Sequence, residues 1–521
     1  MAETGKAPGG TNPWAVALVV TLAAFMEVLD TTIVNVSLPH IAGSLSVSND
    51  DSAWALTTYL VANGIVLTLS GSLSRRIGRK RFFLLCIGVF TLASLGCGTA
   101  FSFQELLLFR AIQGFFGGGL QPMQQAIILD AFPPDKRAAA FSLSAIAIVV
   151  APVVGPLLGG YLTDTYSWHL IFLINVPVGL FTFLGVMNVV QDSEEVKKDK
   201  ATAPPFDYLG ALFIALALGC LEIGVDRGED YDWFGSSFIC VTLGISALAF
   251  IFGILYLLYT KHPAVDLRVL KDRNFAFGFV QIGIMGLVLY SSAVLIPQFA
   301  QQQLGYTSTW AGLVLAPGAV VIILLIPVVN QLMKAVPVKY IVAFGGLALA
   351  SSLFYSMDLV PKESFDHLVM LRAAQTAGLA FLFVPISTVA YYTLSREQQG
   401  DAAALFSMSR NVFGGIGISL ATAVVTEREQ IHQSYMIDHL SRAAAPYNNL
   451  LRQIAQALHN HGMSMQKALA GAPGQVDQIL SIQRAVLAYS DVFWYTGLLA
   501  LVMIPTALLM SSGRKGKRSA S

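Results

Sequence analysis

Fourteen stretches of the chain are apolar for long enough to cross a bilayer, which takes about 20 residues as a helix. They lie at 14–38, 53–73, 82–101, 105–130, 139–163, 168–190, 208–225, 236–259, 275–299, 309–332, 339–357, 367–393, 402–425 and 487–511. Each is continuously apolar and does not alternate, so the pattern predicts helices and not the strands of a barrel, the two architectures lipid allows. Most connections are short. Residues 192–205 form a charged, proline-tipped linker, and 426–484 are too polar to enter lipid. In that long segment Tyr447, Leu450, Leu451, Ile454 and Leu458 fall on one helical face. Pro446, Gly462, Gly471, Pro473 and Gly474 punctuate it, predicting two or three amphipathic helices outside the membrane.

The predicted fold is therefore an all-α polytopic membrane protein. Its parts are an N-terminal six-helix bundle (1–190), a linker with two inserted helices (191–273), and a C-terminal six-helix bundle (274–521) that carries the segment 426–484. Lysine and arginine set the orientation, because they concentrate on the cytoplasmic side. With the N-terminus inside, so are Arg75, Arg76, Arg79, Lys80, Arg81, Lys136, Arg137, Lys197, Lys198, Lys200, Lys261, Arg268, Lys271, Arg273, Lys334, Lys339, Arg396, Arg514, Lys515, Lys517 and Arg518. The short outer loops keep only Arg227 and Lys362. Both termini are then expected in the cytoplasm.

Composition closes off the other classes. Of 521 residues, 55% are hydrophobic and 12% charged, against about 25% charged in soluble domains. Neither a soluble globule nor a disordered chain fits. A net charge of +1 offers no field for nucleic acid. Cys86, Cys97, Cys220 and Cys240 lack metal-ligand spacing, as does the pair His459 and His461, so no metal is expected. The first apolar stretch is too long for a signal-peptide core and is expected to remain as a span. The phosphate-binding loop of nucleotide-driven pumps is absent. The expected energy source is an ion gradient, with no cofactor.

An internal repeat points to transport. Arg110-Ala-Ile-Gln113 opens the fourth stretch and Arg372-Ala-Ala-Gln375 the twelfth, each followed by small residues and then a proline, Pro122 or Pro385. Spans 1–6 then repeat as spans 9–14, with spans 7 and 8 inserted. Parallel repeats are a transporter architecture with the substrate site between the halves.

Charge at the bilayer centre costs at least ~2.5–3.5 kcal/mol, so the few intramembrane charges are candidate machinery. Glu27 and Asp30 sit three apart in the first span and Arg110 in the fourth. The cheapest arrangement turns all three into a central cavity, with Asp30 and Glu27 as proton carriers and Arg110 as counter-charge; the alternative is a static Asp30–Arg110 pair joining helices. Arg372 is the second-half counterpart by the repeat. Arg410 is expected to snorkel to the cytoplasmic face, and Glu222 to sit at the outer interface. Phe25, Gln113, Gln121, Tyr290, Gln298 and Gln375 are candidate cavity residues.

Several motifs resemble one family. Gly71-Ser-Leu-Ser-Arg75-Arg76-Ile-Gly78-Arg79-Lys80 is similar to the loop signature of the major facilitator superfamily, except that Arg75 stands where that signature has aspartate. Asp130, at the inner end of the fourth span, is a candidate for the missing acid. Leu29 to Pro39, Arg110 with Gln113 and Gly114, and Gly155-Pro156-x-x-Gly159-Gly160 resemble signatures of drug:proton antiporters. Trp168, Phe172, Asn175, Pro177 and Gly179 resemble the span-6 motif of the fourteen-span branch, and the long outer segment resembles its EmrB-like members. The resemblance implies a proton-coupled exporter of lipophilic or amphipathic compounds, including drugs, in a bacterial inner membrane. It implies a kink at Gly155–Gly160 that lets the halves rock. It also implies an EmrA-like periplasmic adaptor, docked on the stripe Tyr447, Leu450, Leu451, Ile454 and Leu458, and a TolC-like outer-membrane channel. The rival readings are a narrow exporter of one metabolite, such as a fatty acid or siderophore, and a nutrient:proton symporter.

Overall fold

A computed structural model describes residues 12–191, 205–395, 397–437 and 445–510. Lys197, Lys198, Lys200, Arg396, Arg514, Lys515, Lys517 and Arg518 lie outside the described residues. Thirteen helices among those described are long and apolar enough to cross a membrane. In the numbering of the sequence they are span 1 (Pro13–Asn35), span 2 (Trp54–Ile77), span 3 (Arg79–Cys97), span 5 (Arg137–Thr165), span 6 (Leu170–Val189), span 7 (Tyr208–Asp226) and span 8 (Ser237–Tyr259). Then come span 9 (Arg273–Gln302), span 10 (Ser308–Ala335), span 11 (Val338–Tyr355), span 12 (Phe365–Ala390), span 13 (Gln399–Ile437) and span 14 (Met465–Leu508).

Span 4 completes the fourteen as two helices, Phe103–Gly117 and Leu120–Ala131. The break is bound to close packing. A β-carbon on Gly114 would lie 2.2 Å from the Tyr59 carbonyl oxygen, and one on Gly118 2.3 Å from that of Asn63. Glycine thus lets span 4 lie backbone to backbone on span 2. Its repeat mate is interrupted at the matching place, between Ala380 and Phe383.

The packing follows the repeat. Span 1 packs on span 5 as span 9 does on span 13; span 2 on span 4 as span 10 on span 12; span 3 on span 6 as span 11 on span 14. The halves meet where span 5 lies on span 10 and span 2 on span 13. Spans 7 and 8 pack on each other, and span 7 also lies against spans 2 and 13. Span 8 leaves Val241, Ile245, Leu248, Ile251 and Phe252 exposed, a face suited to lipid.

The segment 426–484 departs from expectation. Among the described residues it holds one separate helix, Ala445–Asn460, and otherwise continues spans 13 and 14 beyond the apolar zone. Of the expected breakers only Gly462, at φ +98, makes a turn; Pro473 stays within the long last helix. The Asp491 carboxylate of span 14 holds the span 13 extension, 2.5 Å from Arg428 Nε and 2.8 Å from His432 Nε2. Leu451, Ile454 and Leu458 pack with Ala468 and Ala472 of the last helix.

Candidate functional site

A cavity of about 640 Å³ opens between the halves. Glu27, Asn63, Gln121, Tyr290 and Asn411, from mid-span positions, line its floor, while His40, Arg227, Asp230 and Gln302 stand at its mouth. Leu56, Leu60, Val294, Val412 and Ile418 supply apolar wall between them. Of the expected cavity residues, Glu27, Gln121, Tyr290 and Gln298 are there. Phe25 is not: it packs with Val28, Leu29, Ala151 and Val154 between spans 1 and 5. Gln113 and Gln375 are fully buried inside their own bundles, held to Ser94 at 3.1 Å and Ser356 at 2.9 Å.

The intramembrane charges separate into two sites. Glu27 is 2% exposed at the cavity floor. Asn63 Nδ2 donates to its Oε1 at 3.0 Å and Gln121 Nε2 to its Oε2. Asp30 and Arg110 are sealed within the N-terminal bundle at 0% exposure, which corrects the expectation that all three face the cavity. Arg110 Nη1 donates to Asp30 Oδ2 at 2.6 Å; Gln113 Nε2 and Asn175 Nδ2 donate to Oδ1 at 2.8 and 2.7 Å. Arg110 Nε donates to the Ala55 carbonyl at 3.0 Å, and its guanidinium lies 4.1 Å from the Tyr59 ring centroid. The physical reason is rotational. Three residues turn a helix by about 300°, so the two carboxyls diverge by about 60°, and the Asp30 carboxylate finds three donors inside the bundle.

The other charges also differ from expectation. Arg410 does not reach the cytoplasmic face. It is wholly buried and donates to Asn411 Oδ1 at 3.3 Å. Glu222 is not interfacial but lines the cavity. Arg372 sits where the repeat places it, donating to Ser292 Oγ at 2.8 Å. Asp30, Ser94, Arg110 and Gln113 recur at one constant spacing as Ser292, Ser356, Arg372 and Gln375. Of these four positions, the second cluster lacks the carboxylate.

On the opposite side from the mouth the halves are shut. Arg75 Nη1 of span 2 lies 2.6 Å from Asp401 Oδ2 of span 13. Gly71 makes room for it, since a β-carbon there would lie 2.6 Å from Asp401 Oδ1. Tyr391 donates to Gln125 at 2.7 Å and Asn330 to Ser142 at 2.7 Å, both between halves. Asp130 does take an arginine, but it is Arg79 of the same bundle; the acid that answers Arg75 is Asp401. Gly78, at φ +94, forms the turn into span 3, and the loop is held further by Arg76 over the Phe206 ring and by Lys80 Nζ on the Met187 carbonyl. The acid Asp401 is visible in the sequence at the start of span 13, but not its pairing.

The Gly155–Gly160 segment packs span 5 onto span 1. β-Carbons on Gly155 and Gly159 would lie 2.2 Å from Thr32 Oγ1 and 2.8 Å from the Ile33 carbonyl oxygen; Gly160 is buried. Pro152 and Pro156 lie inside the helix and line the cavity, and each removes a backbone hydrogen bond. Span 13 achieves the same closeness on span 9 with glycines alone, Gly414 against Tyr290 and Gly417 against Leu287.

Two repeated bundles, a cavity open to one face and a sealed opposite face define a secondary transporter of the alternating-access type. The chain belongs to the Major Facilitator Superfamily, which residues 20–418 match. It is 34% identical over 505 residues to a protein named fatty acid resistance protein FarB from Neisseria gonorrhoeae, covering 96% of both chains. It is 32% identical over 488 residues to the multidrug export protein EmrB of Escherichia coli strain K12, covering 94% of this chain and 93% of that one. Among solved structures, the human organic anion transporter MFSD10 (TETRAN) shares the fold, with a TM-score of 0.58 at 14% identity over 94% of this chain and 99% of that one.

Proposed function

We propose that the protein exports lipophilic and amphipathic compounds, drugs included, in exchange for protons. The observation that carries this is Glu27, an ionisable group on the floor of a cavity open on one side while Arg75–Asp401 shuts the other. Glu27 takes a proton from the open side. Asp30, one helical turn on and already paired with Arg110, holds charge or proton when the cavity is closed. No cofactor enters the scheme. The multidrug export relatives support the broad reading; the relative named for fatty acid resistance favours a second, a narrow exporter of one amphipathic metabolite. Expression in an efflux-deficient bacterial strain tests them. Tolerance rising across chemically unrelated toxic compounds, and lost in Glu27→Gln, supports the first; tolerance to fatty acids alone supports the second.

The placement we infer is a bacterial inner membrane with both termini in the cytoplasm, on the strength of the lysine and arginine distribution. Cysteines at the exposed Ser44 and Ser434 should react with an impermeant thiol reagent from outside, and one at the exposed Ser395 should not. The reverse labelling would overturn the orientation.

An EmrA-like adaptor and a TolC-like channel complete the proposal, supported by the resemblance to the EmrB-like branch. Leu451, Ile454 and Leu458 are covered by the chain's own last helix, so docking falls to Leu450, 37% exposed, with Tyr447 beside it. Leu450→Ser should lower adaptor co-purification with no loss of thermal stability. Unchanged retention would remove the adaptor from the proposal.

A further inference from the structure

Glu222 projects into the central cavity from span 7, one of the two inserted helices. Every other acid of the cavity wall has a donor. Asn63 and Gln121 serve Glu27. Thr57 donates to Asp226, and Arg227 lies 3.9 Å from it. Arg227 Nη1 donates to Asp230 at 2.9 Å. Glu222 has neither a hydrogen bond nor an ion pair among the described residues, and Asp226, four residues on in the same helix and lining the same cavity, carries charge of the same sign. Span 13 nevertheless makes room for it. A β-carbon on Gly415 would lie 3.0 Å from Glu222 Oε1, so a glycine stands where any side chain would press on the carboxylate.

The surroundings decide what can answer such a group. Leu56, Leu60, Val412 and Ile418 share the cavity with it. The cation at the mouth, Arg227, is already answered by Asp226 and Asp230. Arg410 is wholly buried and donates to Asn411, with no ion pair to Glu222 among the described residues. An ionised carboxylate in a partly apolar cavity is costly unless it is paired. A ligand carrying a positive charge on an apolar body supplies the pair and covers the wall at once.

We propose that Glu222 is the anchor for amphipathic cations, whose charged end it binds while their apolar body lies on the cavity wall. This rests on the export reading for its purpose, but equilibrium binding needs no gradient, so the two stand or fall separately.

The test uses the full chain in lipid nanodiscs and two probes of the same shape and opposite charge, tetraphenylphosphonium and tetraphenylborate. The wild type should bind the phosphonium. Glu222→Gln should weaken that binding roughly tenfold or more, as removal of a desolvated charge partner does, and should leave tetraphenylborate no weaker. Glu222→Asp should recover most of the loss. Gly415→Ala, which crowds the carboxylate without removing it, should weaken the phosphonium selectively in a protein of unchanged melting temperature. Phosphonium binding as tight in Glu222→Gln as in the wild type would overturn the proposal. So would an equal loss of both probes in folded variants, since that would mark a residue shaping the cavity and not supplying charge. A wild type that binds no phosphonium would overturn it too.

Discussion

Asp30→Asn is expected to abolish export driven by a pH gradient and to destabilise the protein, whereas Glu27→Gln is expected to abolish the same export at little cost in stability. The difference follows from their surroundings. Asp30 is wholly buried and accepts from Arg110, Gln113 and Asn175 at 2.6–2.8 Å. Neutralising it leaves the Arg110 guanidinium uncompensated in the bundle, and breaking a buried pair in this way costs about 3–5 kcal/mol. Glu27 has two amide donors and no arginine within ion-pair distance among the described residues. A glutamine there keeps an acceptor for one donor, so the loss is about one hydrogen bond, about 0.5–1.5 kcal/mol. Thermal unfolding in detergent, alongside gradient-driven transport, reads both effects. A stable Asp30→Asn that transports normally would reduce Asp30–Arg110 to an ornament of helix packing and leave coupling to Glu27 alone.

Asp401→Lys is expected to open the side that Arg75–Asp401 shuts and to close the cavity mouth on the opposite side. Asp401 is almost wholly buried and pairs with Arg75 through Oδ2, while its Oδ1 has no hydrogen-bond partner among the described residues. Reversal replaces an attraction across the gate with repulsion between two cations. A change of about 1.4 kcal/mol already shifts a two-state population tenfold, and a buried like-charge contact exceeds that. Spin labels on Ser44 and Ser434, both exposed and lying beyond the cavity-lining His40 and Thr422, should report a shorter distance in Asp401→Lys. The double variant Arg75→Asp with Asp401→Arg should restore the parent distance. An unchanged distance in the single variant would mean that the gate is held by the Tyr391–Gln125 and Asn330–Ser142 bonds instead.

The spans were legible because lipid leaves the chain little choice: about 20 apolar residues, helical and backbone-satisfied. Which face each helix turns inward was less so. The spacing of Glu27 and Asp30 predicts a shared face, but span 1 is enclosed on both flanks, and a carboxylate with enough donors settles on the dry side. Glu222 reads as interfacial because its distance from the helix end is visible and the seat opposite Gly415 is not. Arg75–Asp401 joins residues from different halves, a pairing no local pattern carries. The break in span 4 falls in Gly117-Gly-Gly119, apolar by composition, so the hydropathy pattern runs straight through it. In the outer segment the error ran the other way: Gly471, Pro473 and Gly474 read as breakers, yet the helix holds through them while Ala468 and Ala472 pack under Leu458 and its neighbours. The repeat was legible in part. Arg110 and Arg372 announce it, and the conversion of Asp30 to Ser292 then places the paired carboxylate in the N-terminal half alone.

The most direct test of proton exchange through Glu27 is simultaneous recording of lumenal pH and substrate uptake in proteoliposomes with an imposed, acid-inside gradient. The account predicts that adding substrate to wild-type vesicles drives uptake and proton efflux together, and that Glu27→Gln shows neither. Substrate uptake by Glu27→Gln at the wild-type rate, or wild-type uptake with no proton leaving the lumen, would contradict it.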